Sequence, residues 1–247
     1  MKITIGITTF NRKKYLIKLH QSLSMSQGIE TCNLRIYDDC SSEFNVLYLQ
    51  KLFPNAREII RRSKNIGPDR NMRQMYVDFL ATHDDILVTM DADLICHPHW
   101  IHFLRDHFHH TDGIMSLYHS VLHPPTATRI INGKEFLEKE HIGSAGAVMS
   151  REVIQDIVNH LPPSHAYDWK WSAYLRKKGL KILVSKQSYF QHIGLKGSNC
   201  NGIRTVEYGL NFDPLHKINR QFILELYQEY KKLNPKSKLD VRQFGRW

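Results

Sequence analysis

Cysteine is scarce in this sequence. The four that occur, Cys32, Cys40, Cys96 and Cys200, are widely spaced and include no CxxC pair, which argues against both a disulfide framework and a structural zinc site. Reduced thiols are the expectation. No apolar run approaches the ~18 residues needed to cross a bilayer, and the opening MKITIGITTFNR mixes polar residues into its apolar stretch where a secretion signal would not. A cytoplasmic protein is therefore expected. Acidic residues are in deficit: 24 Asp and Glu against 34 Lys and Arg give a formal charge of +10 with His neutral. Such a surface should attract phosphates, nucleic acid or anionic lipid, which constrains partners rather than fold. Internal repeats and low-complexity tracts are also missing, and no shift in composition marks an independent second domain. What the 247 residues do contain is core material. A chain 42% hydrophobic, 11% aromatic and 23% charged suits one large globular domain or two fused halves.

Short β-branched runs alternate with helical periodicity through the first half, the pattern of strands joined by crossover helices in a mostly parallel sheet. An α/β fold follows, with helices flanking a central sheet. Ile3–Thr8 reads as the first strand, and Tyr15, Leu16, Leu19 and Leu23 as a helix face behind it, with Asn11 as its expected cap. Leu34–Tyr37 makes a second strand ending at Asp38 and Asp39, Asn45–Leu52 a helix and Glu58–Ile60 a short strand. After a turn at Asn65–Gly67, Asn71–Leu80 is helical and Asp85–Met90 is a buried strand running into Asp91-Ala-Asp93. The second half is less regular. Strands are expected at Gly113–Tyr118, Ala127–Ile131, Ala145–Met149 and Lys181–Val184, and helices at Ile154–Leu161 and Trp169–Lys178, the latter closed by Gly179. Leu215, Ile218, Phe222, Leu226, Tyr230 and Leu233 form an apolar stripe opposite Lys217, Arg220, Lys231 and Lys232, an amphipathic terminal helix. The halves are expected to share one core.

In open α/β sheets ligands bind beyond the carboxyl ends of the strands, so Thr8–Arg12, Asp38–Asp39 and Asp91–Asp93 should converge on one crevice. Two carboxylates at the end of an apolar strand invite a divalent cation. Mg²⁺ and Mn²⁺ favour carboxylate oxygen and fill their remaining positions with water and substrate phosphate, so the pair suits a nucleotide diphosphate. By itself an Asp-x-Asp tripeptide is more often a solvated turn.

The larger set is more specific. Thr8-Thr-Phe-Asn-Arg12, Tyr37-Asp-Asp-Cys-Ser41, Asn65-Ile-Gly67 with Arg70-Asn71, and Met90-Asp-Ala-Asp93 together resemble, in order and spacing, family 2 glycosyltransferases with the GT-A fold, over about residues 1–195. The resemblance implies a Rossmann-like GT-A domain over 1–202, with a nucleotide-binding half at 1–120 and an acceptor half at 121–202, followed by a basic amphipathic extension at 203–247. Cys40 departs from the family pattern, which commonly has glycine there. A non-glycine residue disfavours positive φ at that turn but leaves both carboxylates in place.

The resemblance also implies site roles. Thr8, Phe10, Asn11 and Arg12 would line the nucleotide pocket, with Asp39 accepting the uracil imide hydrogen. Asn65, Gly67 and Asp91 would join them on the donor, and Arg70 would reach its diphosphate. Asp93 would ligate the metal, Mn²⁺ or Mg²⁺, with Asp91 beside it and His192 completing the shell from a distant strand. Asp168 would be the general base, and Trp169 and Trp171 a sugar-facing pocket. The residues alone leave other roles open: an Asx turn for Asp38 or Asp39, core for Phe10, a plain turn for Gly143–Ala147, and helix capping for Asp168. The histidines at 97, 99, 102, 107, 109 and 110 repeat no zinc spacing and read mainly as a solvated helix.

The implied activity is a metal-dependent, inverting transfer of a sugar from a UDP-sugar to an acceptor hydroxyl, most often in surface-polysaccharide or lipid-linked glycan synthesis. A basic terminal helix would suit peripheral contact with the inner face of a membrane, or simply pack on the enzyme body. The runner-up acceptor is hydroxymethylated pyrimidine in phage DNA, which the basic groups from Arg204 to Arg246 would suit. A nucleotidyltransferase, or a noncatalytic nucleotide- or glycan-binding module, would be the readings from other classes.

Overall fold

The strand Ile3–Thr9 is buried on both faces, a burial that suits the interior of a sheet covered by helices on each side. The computed structural model describes residues 1–195 and 207–246; Cys200, Gly202, Arg204 and the boundary drawn at 202/203 lie outside them. The first half runs β1 (Ile3–Thr9), α1 (Lys13–Leu23), β2 (Cys32–Asp38), α2 (Val46–Leu52), β3 (Glu58–Arg61), α3 (Pro68–Leu80) and β4 (Ile86–Asp91). The second continues through β5 (Leu94–Cys96), α4 (Trp100–His107), β6 (Ile114–Ser116), β7 (Pro125–Ile131), β8 (Lys134–Lys139), β9 (Ala147–Ser150) and α5 (Arg151–His160). It closes with α6 (Tyr167–Lys177), β10 (Leu183–Ser185), β11 (Phe190–His192) and α7 (Lys217–Leu233).

Nine strands form one sheet in the order β3-β2-β1-β4-β9-β6-β10-β8-β7, and β5 pairs with β11 in a separate ribbon. Only β8 and β9 run against the other strands of the large sheet, so it is mostly parallel, as expected. Two buried clusters each join residues of both halves: Ile5, Met90, Phe136 and Val148 in one, Tyr76, Leu87, Met149 and Trp171 in the other.

Local chemistry explains most element ends. Asn45 caps α2 by accepting from the Tyr48 N–H at 2.9 Å, and Ser150 caps α5 through Val153 N–H. Pro68 opens α3 after Gly67, whose φ of 86° disfavours other residues. At the end of α6, Gly179 N–H donates to Arg176 C=O and Leu180 N–H to Leu175 C=O, with Gly179 at φ 87°, the pairing of a Schellman cap.

Several expectations need correction. Asn11 does not cap α1: it is itself left-handed, and its side chain accepts from Ser42 and Glu43 instead. The strands β5 and β11, of three residues each, carry too little periodicity to be read. The charges of Lys134, Glu135, Glu138 and Lys139 disguise β8, a strand beside the exposed edge strand β7. The histidine-rich segment is only half solvated, because α4 buries Trp100, Ile101, Phe103, Leu104 and His107. The α7 stripe packs on the body, where Phe222, Ile223, Leu226 and Tyr230 meet Tyr15, Ile95 and Ile193. Lys18 and Glu225 pair at 2.5 Å and Lys14 and Glu229 at 3.4 Å across the same seam.

Trp171 does not face a sugar pocket either, since it is 0% exposed among Tyr167, Ile142 and Leu175. Trp171→Ala should therefore cost about 3–5 kcal/mol through lost burial and a residual cavity. A urea titration showing a loss below about 1 kcal/mol would contradict that placement.

Candidate active site

Three strand ends meet in one place. Parallel pairing sets Thr8 opposite Asp91, and the Thr8 hydroxyl donates to Asp91 Oδ1 at 3.1 Å. Beside them, Asp39 N–H donates to Thr9 C=O at 2.9 Å. The chain then leaves β1 through two left-handed residues, Asn11 at φ 57° and Arg12 at φ 63°, a conformation costing about 1 kcal/mol or more at each. The turn is held from the loop after β2. Asn11 N–H donates to Ser41 Oγ at 2.6 Å, and its Oδ1 accepts from Ser42 N–H at 2.8 Å and Glu43 N–H at 3.1 Å. This exit leaves Phe10 43% exposed, outside the core, and sends Arg12 to Asp93.

The adjacent carboxylates Asp38 and Asp39 do different work. Asp38 is fully buried, accepts from Ser41 N–H and Oγ, and pairs with Arg61, so it shapes the loop. Asp39 Oδ1 accepts from Ile66 N–H at 2.8 Å and Oδ2 from Gly67 N–H at 2.9 Å, which ties the Asn65–Gly67 turn to β2. Burial raises its pKa, and the two N–H donors oppose that rise. Each oxygen keeps a lone pair for a further donor. Asn65 Oδ1 accepts from Gly67 N–H at 3.1 Å, an Asx turn. Cys40 adopts φ 65° despite its side chain; the turn prevails over the residue's preference. Arg70 is exposed on the first turn of α3, with no ion pair to another described residue.

The second carboxylate pair is drawn inward. Burial raises the Asp91 pKa, against the pull of His192, Thr8 and Arg12. Asp93 is 1% exposed, and its Oδ2, buried without a hydrogen bond, pairs with Arg12 and lies 3.3 Å from His192 Nε2. His192 arrives from β11, whose pairing sets it opposite Leu94, and Ile193 N–H donates to Asp93 C=O at 2.8 Å. Gly194 follows because a Cβ there would run into the Asp93 carboxylate. Burial lowers the His192 pKa, against the pull of Glu207 and Asp91, and so favours the neutral imidazole, the form that binds metals.

Asp93 Oδ2 and His192 Nε2 are of the ligand types a divalent cation takes, although the Arg12 guanidinium pairs with that same Oδ2. Two neighbouring ligands of an octahedral ion at ~2.1 Å stand about 3 Å apart, close to the separation of Asp93 Oδ2 and His192 Nε2. Among the described residues no three His, Cys, Asp or Glu side chains converge, so substrate and water would complete the shell, as is usual for Mg²⁺.

Asp168 lies on the first turn of α6 and is not its cap. Ala166 holds that position at φ 55°, while Asp69 accepts from Tyr167 N–H at 3.1 Å. Asp168 Oδ1 accepts from Trp169 N–H at 2.9 Å, and its Oδ2 faces Gly143. Burial raises its pKa, and the charges of Asp69 and Asp91 add to the rise. Gly146, at φ 71° and pressed between Phe190 and Tyr118, turns the 143–147 loop into β9. Four residues near this site escaped the sequence reading. Glu207 acts electrostatically on Asp91, His192, His123 and Lys139, and Trp169 stacks on His141 with ring centroids 4.5 Å apart. None belongs to a local motif.

Residues 4–182 match the family pattern described as Glycosyl transferase family 2. The chain belongs to that family. It is therefore a glycosyltransferase, with an α/β GT-A fold. Staphylococcus aureus TarS residues 1–349 in complex with UDP-GlcNAc superimpose with a TM-score of 0.59 at 15% identity, covering 98% of this chain and 69% of that one. The same fragment in complex with UDP gives 0.56, with 98% and 68% covered. Longer TarS gives 0.55 at 15% identity, with 98% of this chain and 41% of that one covered. At this identity the likeness is one of fold. No curated protein matches the sequence.

Proposed function

We propose that this family 2 glycosyltransferase takes a UDP-sugar, binds it with Mn²⁺ or Mg²⁺, and transfers the sugar to an acceptor hydroxyl with inversion. The observation that carries the reading is the gathering of Asp39 after β2, Asp91 and Asp93 at the end of β4 and His192 at the end of β11, with Asp168 in electrostatic reach of Asp91. Complexes of TarS with UDP-GlcNAc and UDP support the donor class.

In this reading Asp39 accepts the uracil imide N–H and the exposed Phe10 offers its ring to the base. Thr8, Asn11, Arg12, Asn65, Gly67 and Asp91 surround the nucleotide, and Arg70 meets the diphosphate. Asp168 removes the acceptor proton as the new C1–O bond forms and the old bond's electrons pass to the departing diphosphate oxygen. Attack opposite the leaving group inverts the anomeric carbon. Asp93 and His192, with Asp91 beside them, would hold the cation, which when bound neutralises charge on the leaving group.

The catalytic domain is assigned to 1–202, with donor half 1–120 and acceptor half 121–202, and the basic extension to 203–247. The acceptor is assigned to surface-polysaccharide or lipid-linked glycan synthesis on the cytoplasmic side. No helix among the described residues is long and apolar enough to cross a membrane, and contact would be peripheral, through the outward basic residues of α7.

Titration with UDP in the presence of Mn²⁺ tests the donor reading. Saturable binding, weakened at least tenfold by EDTA, is expected, and with UDP-GlcNAc or another UDP-sugar the protein should release UDP rather than pyrophosphate. Pyrophosphate release would make it a nucleotidyltransferase, and NMR showing retained anomeric configuration would reject inversion.

A further inference from the structure

The turn that carries Asp168 is held from another helix. Ala166 has no side-chain acceptor with which to cap α6, and Asp69 Oδ1, on the first turn of α3, accepts from Tyr167 N–H instead at 3.1 Å. A carboxylate at a helix N-terminus is favoured by charge as well as by hydrogen bonding. Arg73 lies on the same face of α3. Its Nη2 donates to Val158 C=O at 2.9 Å and its Nε to Leu161 C=O at 3.3 Å, at the end of α5. Tyr76, a turn further on, packs its ring against that of Tyr167 with centroids 6.2 Å apart, and both side chains are fully buried. One face of α3 thus grips both ends of the connection between α5 and α6. The start of α3 is fixed in turn, because Asp39 accepts from Ile66 N–H and Gly67 N–H just before Pro68 opens the helix. Three hydrogen bonds and the first residues of one helix therefore join Asp39 to the turn bearing Asp168.

We infer that Asp69 is a positioning residue for the transfer reaction: by pinning the first turn of α6 to α3, it sets where the Asp168 carboxylate stands relative to a donor held at Asp39. The inference rests on Asp168 being the base and goes beyond that reading by naming what aims it. Asp168 Oδ1 accepts from Trp169 N–H at 2.9 Å, so the carboxylate follows the backbone of this turn. Displacing a reacting group by about 1 Å costs on the order of 10² in rate. The other oxygen of Asp69 lies 3.9 Å from the exposed His165, and truncating the side chain strands no buried charge. A cap that only stabilised α6 would affect folding and leave turnover per folded molecule unchanged.

Asp69→Ala and Asp69→Asn in the full chain separate these roles, with Asp168→Asn as the reference. For UDP release from UDP-GlcNAc, or from whichever UDP-sugar the protein cleaves, Asp69→Ala should lower kcat about 10- to 100-fold with the UDP Kd within about twofold. Asp69→Asn keeps an oxygen that accepts from Tyr167 N–H and should stay within about threefold of wild type in kcat. Amide exchange followed by NMR without donor should quicken about tenfold at Tyr167 and Trp169 in Asp69→Ala, and stay near wild type in Asp69→Asn. Wild-type kcat in Asp69→Ala would overturn the inference, as would an Asn variant as slow as the Ala variant, unchanged exchange at Tyr167, or UDP affinity lost in step with kcat. Turnover retained in Asp168→Asn would instead remove the base itself, whereas a slow Asp168→Asn beside a fast Asp69→Ala defeats the positioning role alone. If the wild-type protein releases UDP from no UDP-sugar, the donor reading fails, and the exchange rates still decide whether Asp69 holds the turn.

Discussion

Asp168→Asn should lower turnover by about 10²–10⁴-fold, the usual worth of a positioned general base, while the Kd for UDP stays within about twofold. The amide preserves size and can still accept from Trp169 N–H, the bond now made by Asp168 Oδ1 at 2.9 Å. It cannot take up a proton at neutral pH. The same change should leave thermal stability unchanged or raise it. Burial, with Asp69 and Asp91 nearby, lifts the Asp168 pKa above the ordinary carboxylate value. A carboxyl whose pKa is higher in the folded state favours folding below its unfolded pKa, and that contribution disappears as pH rises through the folded value. At pH 7 the ionised group therefore disfavours folding, and removing its charge relieves the protein. The acid limb of the kcat profile should accordingly lie above the range of a solvated aspartate and vanish in Asp168→Asn. Turnover retained within tenfold, or a donor affinity lost in parallel with turnover, would remove Asp168 from the role of base.

Asp93→Ala should have the largest effect on stability and donor binding together. Its carboxylate is buried against Arg12 and His192, and truncating it strands the guanidinium. Removing one member of a buried pair costs ~3–5 kcal/mol; with Arg12 one-quarter exposed, the low end, about 3 kcal/mol, is expected. Arg12→Ala on the same background should return part of that loss, because no buried cation is then left unpaired. The tightening of UDP by Mn²⁺ should disappear in Asp93→Ala and persist in Asn65→Ala. An unchanged melting temperature, or an undiminished response to Mn²⁺, would remove Asp93 from the centre of the site.

The contrast between Trp169 and Trp171 shows where sequence reading stops. Both fall within one helical turn beside Asp168, and both looked able to face a sugar. In the structure Trp171 is in the core and Trp169 is open, because residues two apart on a helix project about 200° from each other. Which of the two directions faces the sheet is settled by how α6 docks. Asn11 makes the same point at the other end of the site, since a residue of capping type before a helix was taken up by the loop after β2.

The sequence by itself determined the strand-and-helix alternation, the placement of acidic groups at strand ends and the family, because burial periodicity and motif spacing are local properties of the chain. Only the tertiary structure decided that Arg12 and His192 meet on Asp93, that Gly194 makes room for its carboxylate, and that His141 and His123 enclose Trp169. Those contacts join segments far apart in the chain. Their geometry depends on strand order and helix docking, which no stretch of residues specifies alone.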